Sequence, residues 1–151
     1  MISLLSFRGR INRTKYWFVT GVVTLGIFLI VLSFALAELD GVGLAPGFLL
    51  IVLLLISGFA AGVKRLHDRD KSGWWLVFYG AGSGIFQAIG DALGGQGFAL
   101  AWYLLSTLLW IGMIIDLGIL RGTPGPNRYG ADPLREEVVL NPAVPIGGER
   151  V

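Results

Sequence analysis

The sequence predicts an all-α membrane protein, a four-transmembrane-helix bundle with a structured Gly/Pro-rich cytoplasmic loop after the fourth helix. The first observation is composition: 54% of the 151 residues are hydrophobic and only 15% are charged, against about 25% charged in soluble domains. The second is a set of four long apolar segments. The third is that all 12 Lys and Arg residues fall on one side of those segments.

The four apolar segments have the length that a bilayer requires. At ~1.5 Å per residue each covers about 25 to 35 Å, enough for a hydrocarbon core of about 30 Å. The second and third are barely long enough. The predicted spans are 16–37, 47–63, 74–90 and 98–120.

Charge fixes the predicted orientation, because basic residues are retained on the cytoplasmic side during insertion. With the N-terminus inside, the loops 38–46 and 91–97 lie outside, and they carry Glu38, Asp40 and Asp91 but no base. We therefore expect a multi-pass protein of the bacterial inner membrane with both termini in the cytoplasm.

The spans leave room for one domain, predicted over 1–133, followed by a flexible cytoplasmic tail over 134–151. A cleaved signal peptide is the rival interpretation of the first segment, since Ala35-Leu36-Ala37 resembles a cleavage site. The apolar stretch before it, 17–34, exceeds the usual signal-peptide core of about 7 to 15 residues, which favours a retained span.

Composition also excludes several kinds of site. The absence of Cys excludes disulfides and thiolate chemistry, and the single His excludes a His-rich metal site within one copy. We expect no metal and no cofactor. The net charge of +2 does not call for nucleic acid, because the bases lie beside apolar spans, where anionic lipid head groups are found.

Glycines in the second and third spans predict helix contacts, because small residues let helix backbones approach closely in lipid. These are Gly58, Gly62, Gly80, Gly82 and Gly84. The alternative is an unwound segment at Gly80–Gly84, as in transporters with broken helices.

Three polar motifs face the predicted cytoplasm. The first runs from Phe7 to Trp17 and is rich in Arg. The second, beginning at Arg65, has the pattern R-L-H-D-x-x-x-S-G-W-W. The third, beginning at Gly125, has the pattern G-x-N-R-Y-G-x-D-P.

Together these motifs resemble the bacterial inner-membrane family catalogued as domain of unknown function 805, from Phe7 to Pro133. The resemblance implies a small four-helix integral membrane protein with no established activity. The chain departs from the family pattern at Lys15, where an acid is common, and at Ala131, where Pro is common. Any salt bridge from that acid is absent here.

The second motif predicts a charged hairpin between two helices. Lys64 and Arg65 can satisfy the C-terminal carbonyls of the second span, while Asp70 or Ser72 can cap the third.

His67 and Asp68 have the chemistry of a general base with an orienting carboxylate, or of half a metal pair. No nucleophile or companion ligand accompanies them, so we expect an interfacial hydrogen-bond pair. A membrane enzyme that uses these two residues is the minor alternative.

The third motif predicts a fixed loop that folds back on the helix ends, because Asn side chains bond local backbone, Gly permits positive φ and Pro restricts φ. Asn127 is the candidate for that role. We expect Arg128 and Asp132 to pair with Asp68 and Arg65 across the inner face.

Asp116 is the one acid inside a predicted span, close to its cytoplasmic end. Such acids are candidates for functional sites. One interpretation is an ion pair with Arg65 or Arg121, and the other is a proton or cation site. A proton relay would need a second acid, which no span supplies.

These features predict a non-enzymatic module whose cytoplasmic cluster binds anionic lipid head groups or a partner protein, at about 1 kcal/mol per basic residue. The alternative is an oligomeric transporter or channel that uses Asp116 and the Gly-rich third span. Four helices of one copy cannot enclose a wide pore, so this alternative needs a homo-oligomer. The candidate binding residues are Arg8, Arg10, Arg13, Arg65, His67, Asp68, Asn127, Arg128 and Asp132.

Overall fold

A computed structural model of the chain describes residues 5–37, 41–93 and 96–135, and this part is helical, without a β-strand. The helices are α1 (Arg13–Ala37), α2 (Gly41–Asp68), α3 (Trp74–Leu93) and α4 (Gln96–Ile114), and α4 continues as a π-helix over Ile115–Ile119.

Helix α2 is longer than predicted at both ends. It begins at Gly41, inside the loop expected over 38–46, and continues beyond residue 63 to Asp68. The second motif therefore begins on α2, with residues 65–68, and its residues 69–73 lie between α2 and α3. Glu38 and Asp40, and the tail after residue 135, lie outside the described residues.

Three of the helices are long and apolar enough to cross a membrane: Arg13–Leu36, Leu44–Asp68 and Ala99–Ile119. Helix α3 has 20 residues, among them Gln87, Asp91 and several glycines, and it is not one of these three. The chain is thus a helical membrane protein with three candidate membrane-spanning helices among the described residues.

Helices α1 and α2 pack together through small and β-branched residues. Ile11, Val19, Val23 and Ala61 form a buried apolar cluster between them. A Cβ at Gly58 would lie 3.4 Å from the Val23 side chain, an ordinary van der Waals distance, so Gly58 lies at this helix contact.

Helices α3 and α4 form the second pair. The rings of Phe86 and Trp102 are 5.7 Å apart, and the hydroxyl of Tyr103 donates to Asp91 at 2.6 Å. These contacts join the C-terminal half of α3 to the N-terminal half of α4. The two helices therefore run antiparallel.

The predicted glycine contacts are confirmed in part. A Cβ at Gly62 would lie 2.9 Å from Leu76, and one at Gly82 would lie 3.0 Å from Leu109. At Gly80 and Gly84 a Cβ would meet no described atom within 4 Å, so the expectation is wrong there. Helix α3 is continuous through all of these glycines, which also excludes the unwound segment.

The two helix pairs join at one end of the molecule. Close backbone contacts between the pairs link α2 with α3, and the π-helical end of α4 with α1 and α2. All three polar motifs meet at this end.

Candidate functional site

The π-helical end of α4 is held by side chains from α1 and from the region at and just after the end of α2. A helix end leaves its last carbonyls without backbone donors, and here five consecutive carbonyls accept side-chain hydrogen bonds. Cations are favoured at this end, because the helix dipole makes it negative. The donors are Arg69 to Asp116 (3.3 Å), Arg65 to Leu117 (2.8 Å) and Leu120, Trp17 to Gly118 (3.1 Å), and Arg13 to Ile119 (3.2 Å).

Arg65 is the centre of this arrangement, and its side chain is only 1% exposed. The expectation that it caps its own helix is wrong, because its guanidinium reaches Leu117 and Leu120 of the fourth helix. The planar guanidinium also pairs with Asp68 on the next turn of α2. Its several fixed donors explain how one side chain serves three acceptors.

Asp68 is buried between two arginines. Besides Arg65, its carboxylate pairs with Arg10 at 3.0 Å, and the side chains of Arg10 and Asp68 are 1% and 5% exposed. Arg10 donates further to the carbonyls of Thr123 and Gly125, both at 2.7 Å. The ion pair thus connects the segment before α1, the end of α2 and the loop after α4.

The expected pairing of Arg128 and Asp132 with Asp68 and Arg65 is wrong. Arg128 instead pairs with Asp70 at 3.2 Å, on the exposed surface. Asp132 accepts the backbone N–H of Gly125 at 2.9 Å, within its own loop. Arg10 takes the place that was expected for Arg128, because the segment before α1 lies against the end of α2 and the loop after α4.

His67 does not form the expected pair with Asp68. Its Nδ1 lies 3.3 Å from the carbonyl of Gly9, and its ring stacks on Tyr129 with centroids 3.8 Å apart and planes within 5°. A carbonyl can only accept, so Nδ1 carries the proton in this contact. The carboxylate of Asp68 is occupied by the two arginines.

Asn127 fastens the loop after α4 to the end of α2. Its side-chain amide donates to the carbonyl of His67 at 2.9 Å and to the hydroxyl of Thr123 at 3.0 Å. The backbone N–H of Thr123 donates to the carbonyl of Asp68 at 2.8 Å. These bonds satisfy the C-terminal carbonyls of α2, which was the role expected for Lys64 and Arg65.

Asp116 is buried. The predicted ion pair with Arg65 or Arg121 is wrong, because other cations contact its carboxylate. Lys71 donates to both carboxylate oxygens, at 2.9 and 2.8 Å. Arg69 forms an ion pair with the same carboxylate, and the hydroxyl of Tyr79 donates to it at 3.1 Å.

Two cations on one carboxylate leave no negative charge uncompensated at Asp116. Burial lowers the pKa of Lys71, and the adjacent charge of Arg69 lowers that pKa further. Among the residues described, no three His, Cys, Asp or Glu side chains are placed to hold a metal ion.

The predicted basic cluster therefore divides into two sets. Arg10 and Arg65 are buried in the network around Asp68, and Arg69 is paired with Asp116, whereas five other described arginines at this end of the molecule are exposed. We call the exposed set the arginine rim: Arg8, Arg13, Arg121, Arg128 and Arg135. Within the described ranges, the side chains of Arg8, Arg121 and Arg135 have no hydrogen-bond or ion-pair partner.

Sequence reasoning missed four members of the site: Trp17, Arg69, Lys71 and Tyr79. Lys71 and Arg69 follow the end of α2 within the second motif, so their charge could have suggested a partner for the lone intramembrane acid. No sequence signal indicates the π-helix that turns the carbonyl of Gly118 toward Trp17.

The model of a family described as "Protein of unknown function (DUF805)" matches residues 4–131. The chain belongs to the DUF805 family.

Relatives within this family include the "Uncharacterized protein YiiR" of Escherichia coli strain K12, 33% identical over 129 residues, which cover 85% of this chain and 86% of that protein. The "Inner membrane protein YhaH" of the same strain is 28% identical over 140 residues, 87% of this chain and 90% of YhaH. "Inner membrane protein YhaI" is 28% identical over 136 residues, 85% of this chain and 86% of YhaI. No solved structure matches the chain.

Proposed function

We propose that this chain is a non-enzymatic, four-span module of the bacterial inner membrane whose cytoplasmic arginine rim binds anionic lipid head groups. The observation that carries the proposal is the division of the basic residues. The buried arginines bind the protein itself, while the rim leaves several guanidinium groups open to a ligand.

The energetics favour lipid as that ligand. Each basic side chain beside an anionic leaflet gains about 1 kcal/mol, so several acting together retain anionic lipid at the protein surface. The rim includes the residues that flank α1 and α4, Arg8, Arg13 and Arg121, which places these charges at the ends of apolar helices. Lipid phosphates lie at that depth.

A fourth crossing by α3 is supported by its pairing with α4. Side-chain hydrogen bonds join α3 to the fourth helix at two places: Tyr103 donates to Asp91 near one end, and Tyr79 donates to Asp116 near the other. Helix α3 therefore runs beside α4, a candidate span, for most of its own length of about 30 Å. The names of the relatives YhaH and YhaI support an inner-membrane location.

Lipid selectivity tests the binding proposal directly. Purified protein would be exchanged into nanodiscs of mixed phosphatidylglycerol and phosphatidylcholine, and the lipids that remain bound would be counted by native mass spectrometry. We expect enrichment of phosphatidylglycerol for the wild type and a reduced enrichment for the triple variant Arg8→Gln, Arg121→Gln, Arg135→Gln. Asp91→Asn, at the other end of the helices, is the control.

Equal retention of the two lipids by the wild type would overturn the proposal. Copurification of one stoichiometric protein that the triple variant loses would replace lipid by a protein partner.

The topology is tested by cysteine labelling, since the chain has no native Cys. Single variants Arg135→Cys and Asp91→Cys are made at exposed positions and treated with a membrane-impermeant maleimide in spheroplasts and in inverted vesicles. We expect Asp91→Cys to label in spheroplasts and Arg135→Cys to label in inverted vesicles. Labelling of both from the same side would exclude the four-span arrangement.

A further inference from the structure

A groove of about 450 Å³ lies on the exposed face of α1. Its residues recur at helical spacing, and they lie on the side of α1 opposite Val19 and Val23, which pack toward α2. The groove is therefore open to the bilayer. The residues that line it are Trp17, Thr20, Gly21, Thr24, Leu25 and Phe28.

The groove has the length of one leaflet. From Trp17 to Phe28 the helix rises about 16 Å, and half of a hydrocarbon core is about 15 Å. Gly21 and Thr24 form a shallow floor between the bulky side chains of Trp17 and Phe28. This shape fits a single extended hydrocarbon chain.

A cation stands at the cytoplasmic end of the groove. Arg13 precedes Trp17 by one helical turn on the same face, and it is exposed although one of its N–H groups donates to Ile119 at 3.2 Å. Its other donors are available for a phosphate. Arg121, also exposed, follows Ile119 by two positions.

Trp17 is fixed between the charged end and the apolar groove. Its indole N–H donates to the carbonyl of Gly118 at 3.1 Å, so the ring is held while half of its surface stays exposed. An indole in this position marks the boundary between head groups and hydrocarbon.

We propose that the groove binds one acyl chain of an anionic phospholipid of the cytoplasmic leaflet, with the phosphate held by Arg13. This site rests on the proposed function, and it adds a defined position and stoichiometry to it. The apolar groove supplies contact with the chain, and the guanidinium supplies the preference for an anionic head group.

Charge favours a lipid over a second copy of the chain as the occupant. Copies in a membrane share one orientation, and a two-fold contact through this face would place Arg13 beside Arg13 of the neighbouring copy. Like charges at that distance repel each other, whereas a phosphate neutralises the guanidinium. A dimer is thus an outcome for the test.

Filling the groove provides the experiment. A Cβ at Gly21 meets no described atom within 4 Å, so a side chain can start there, and Gly21→Phe would place its ring in the groove that Gly21 lines. Gly84→Phe is the matched control, since Gly84 on α3 is equally open. Thermal unfolding in detergent verifies that both variants are folded.

The readout is the number of phosphatidylglycerol molecules retained from the mixed nanodiscs. We expect Gly21→Phe to weaken retention about tenfold, the effect of losing contact with about two methylene groups. Gly84→Phe should match the wild type. Arg13→Gln should reduce the preference for phosphatidylglycerol over phosphatidylcholine.

The results separate the site from the general function. If the wild type prefers phosphatidylglycerol and Gly21→Phe retains it equally, the groove site is refuted while the arginine rim stands. If the wild type shows no preference for phosphatidylglycerol, both the groove site and lipid binding by the arginine rim are refuted. A wild-type dimer that becomes monomeric in Gly21→Phe would assign the groove to a second copy.

Discussion

The guanidinium of Arg10 lies 3.0 Å from the carboxylate of Asp68, although the whole of α1 and the rest of α2 separate the two residues in the sequence. Arg10 precedes α1, and Asp68 is the last residue of α2. The same guanidinium holds the carbonyls of Thr123 and Gly125 in the loop after α4. One buried cation therefore fastens three separate parts of the chain.

Replacing Arg10 by Ala should lower the free energy of unfolding by about 3 to 5 kcal/mol. The substitution leaves a buried carboxylate with one cation fewer and removes the donors to two carbonyls. Thermal unfolding in detergent measures the change. The control is Arg8→Ala, an exposed position where an effect within about 0.5 kcal/mol is expected. Equal melting temperatures for the two variants would contradict the fastening role.

Arg65→Lys should also destabilise the protein, by about 3 kcal/mol, although it keeps the charge. A lysine ammonium cannot match the fork that reaches Asp68, Leu117 and Leu120 together. Arg135→Lys, on an exposed residue, is the matched control and should be neutral. A stable Arg65→Lys protein would mean that charge alone secures the end of α4.

Sequence reasoning located the elements and the end of the molecule where the motifs meet. Apolar runs are long-range signals that survive local detail, so the four helices could be predicted with errors only at their ends. Arg65, Asp68 and Asn127 were identified as members of one site because their motifs share a predicted side of the membrane. The structure brings these three within one network.

Sequence reasoning did not identify the pairing partners. Several arginines have the same charge and reach, so the choice of Arg10 rather than Arg128 for Asp68 depends on the backbone path before α1. The π-helix at Ile115–Ile119 is a second example, because the side chains that hold its carbonyls, Trp17 and Arg65, are distant from it in the sequence.

Asp116→Asn should destabilise the protein by about 3 kcal/mol, because Lys71 and Arg69 would lose the charge that compensates them. Asparagine keeps the size of the side chain and an oxygen that can accept from Tyr79, so the loss reports charge. Chemical unfolding in detergent, followed by Trp fluorescence, measures it. Asp91→Asn is the control, since Asp91 is exposed. Unchanged stability of Asp116→Asn would indicate that the acid serves another purpose.

Gly122→Ala tests how closely the loop after α4 packs on the end of α2. A Cβ at this position would press against both the carboxylate and the backbone oxygen of Asp68, so either the loop or the Arg10 ion pair must shift. Overpacking of this kind costs about 1 to 3 kcal/mol, and it should lower the melting temperature in detergent.

The control for Gly122→Ala is Gly84→Ala, where a Cβ meets open space. In a helix interior Ala is favoured over Gly by about 1 kcal/mol, so this control should raise the melting temperature slightly. Opposite signs for the two identical substitutions are expected, because one adds a methyl group against the buried ion pair and the other adds it at an open position of α3. A neutral Gly122→Ala would show that the loop after α4 can move away from Asp68 at no cost in stability. The contacts of Asp68 with this loop would then not contribute to holding the two helix pairs together.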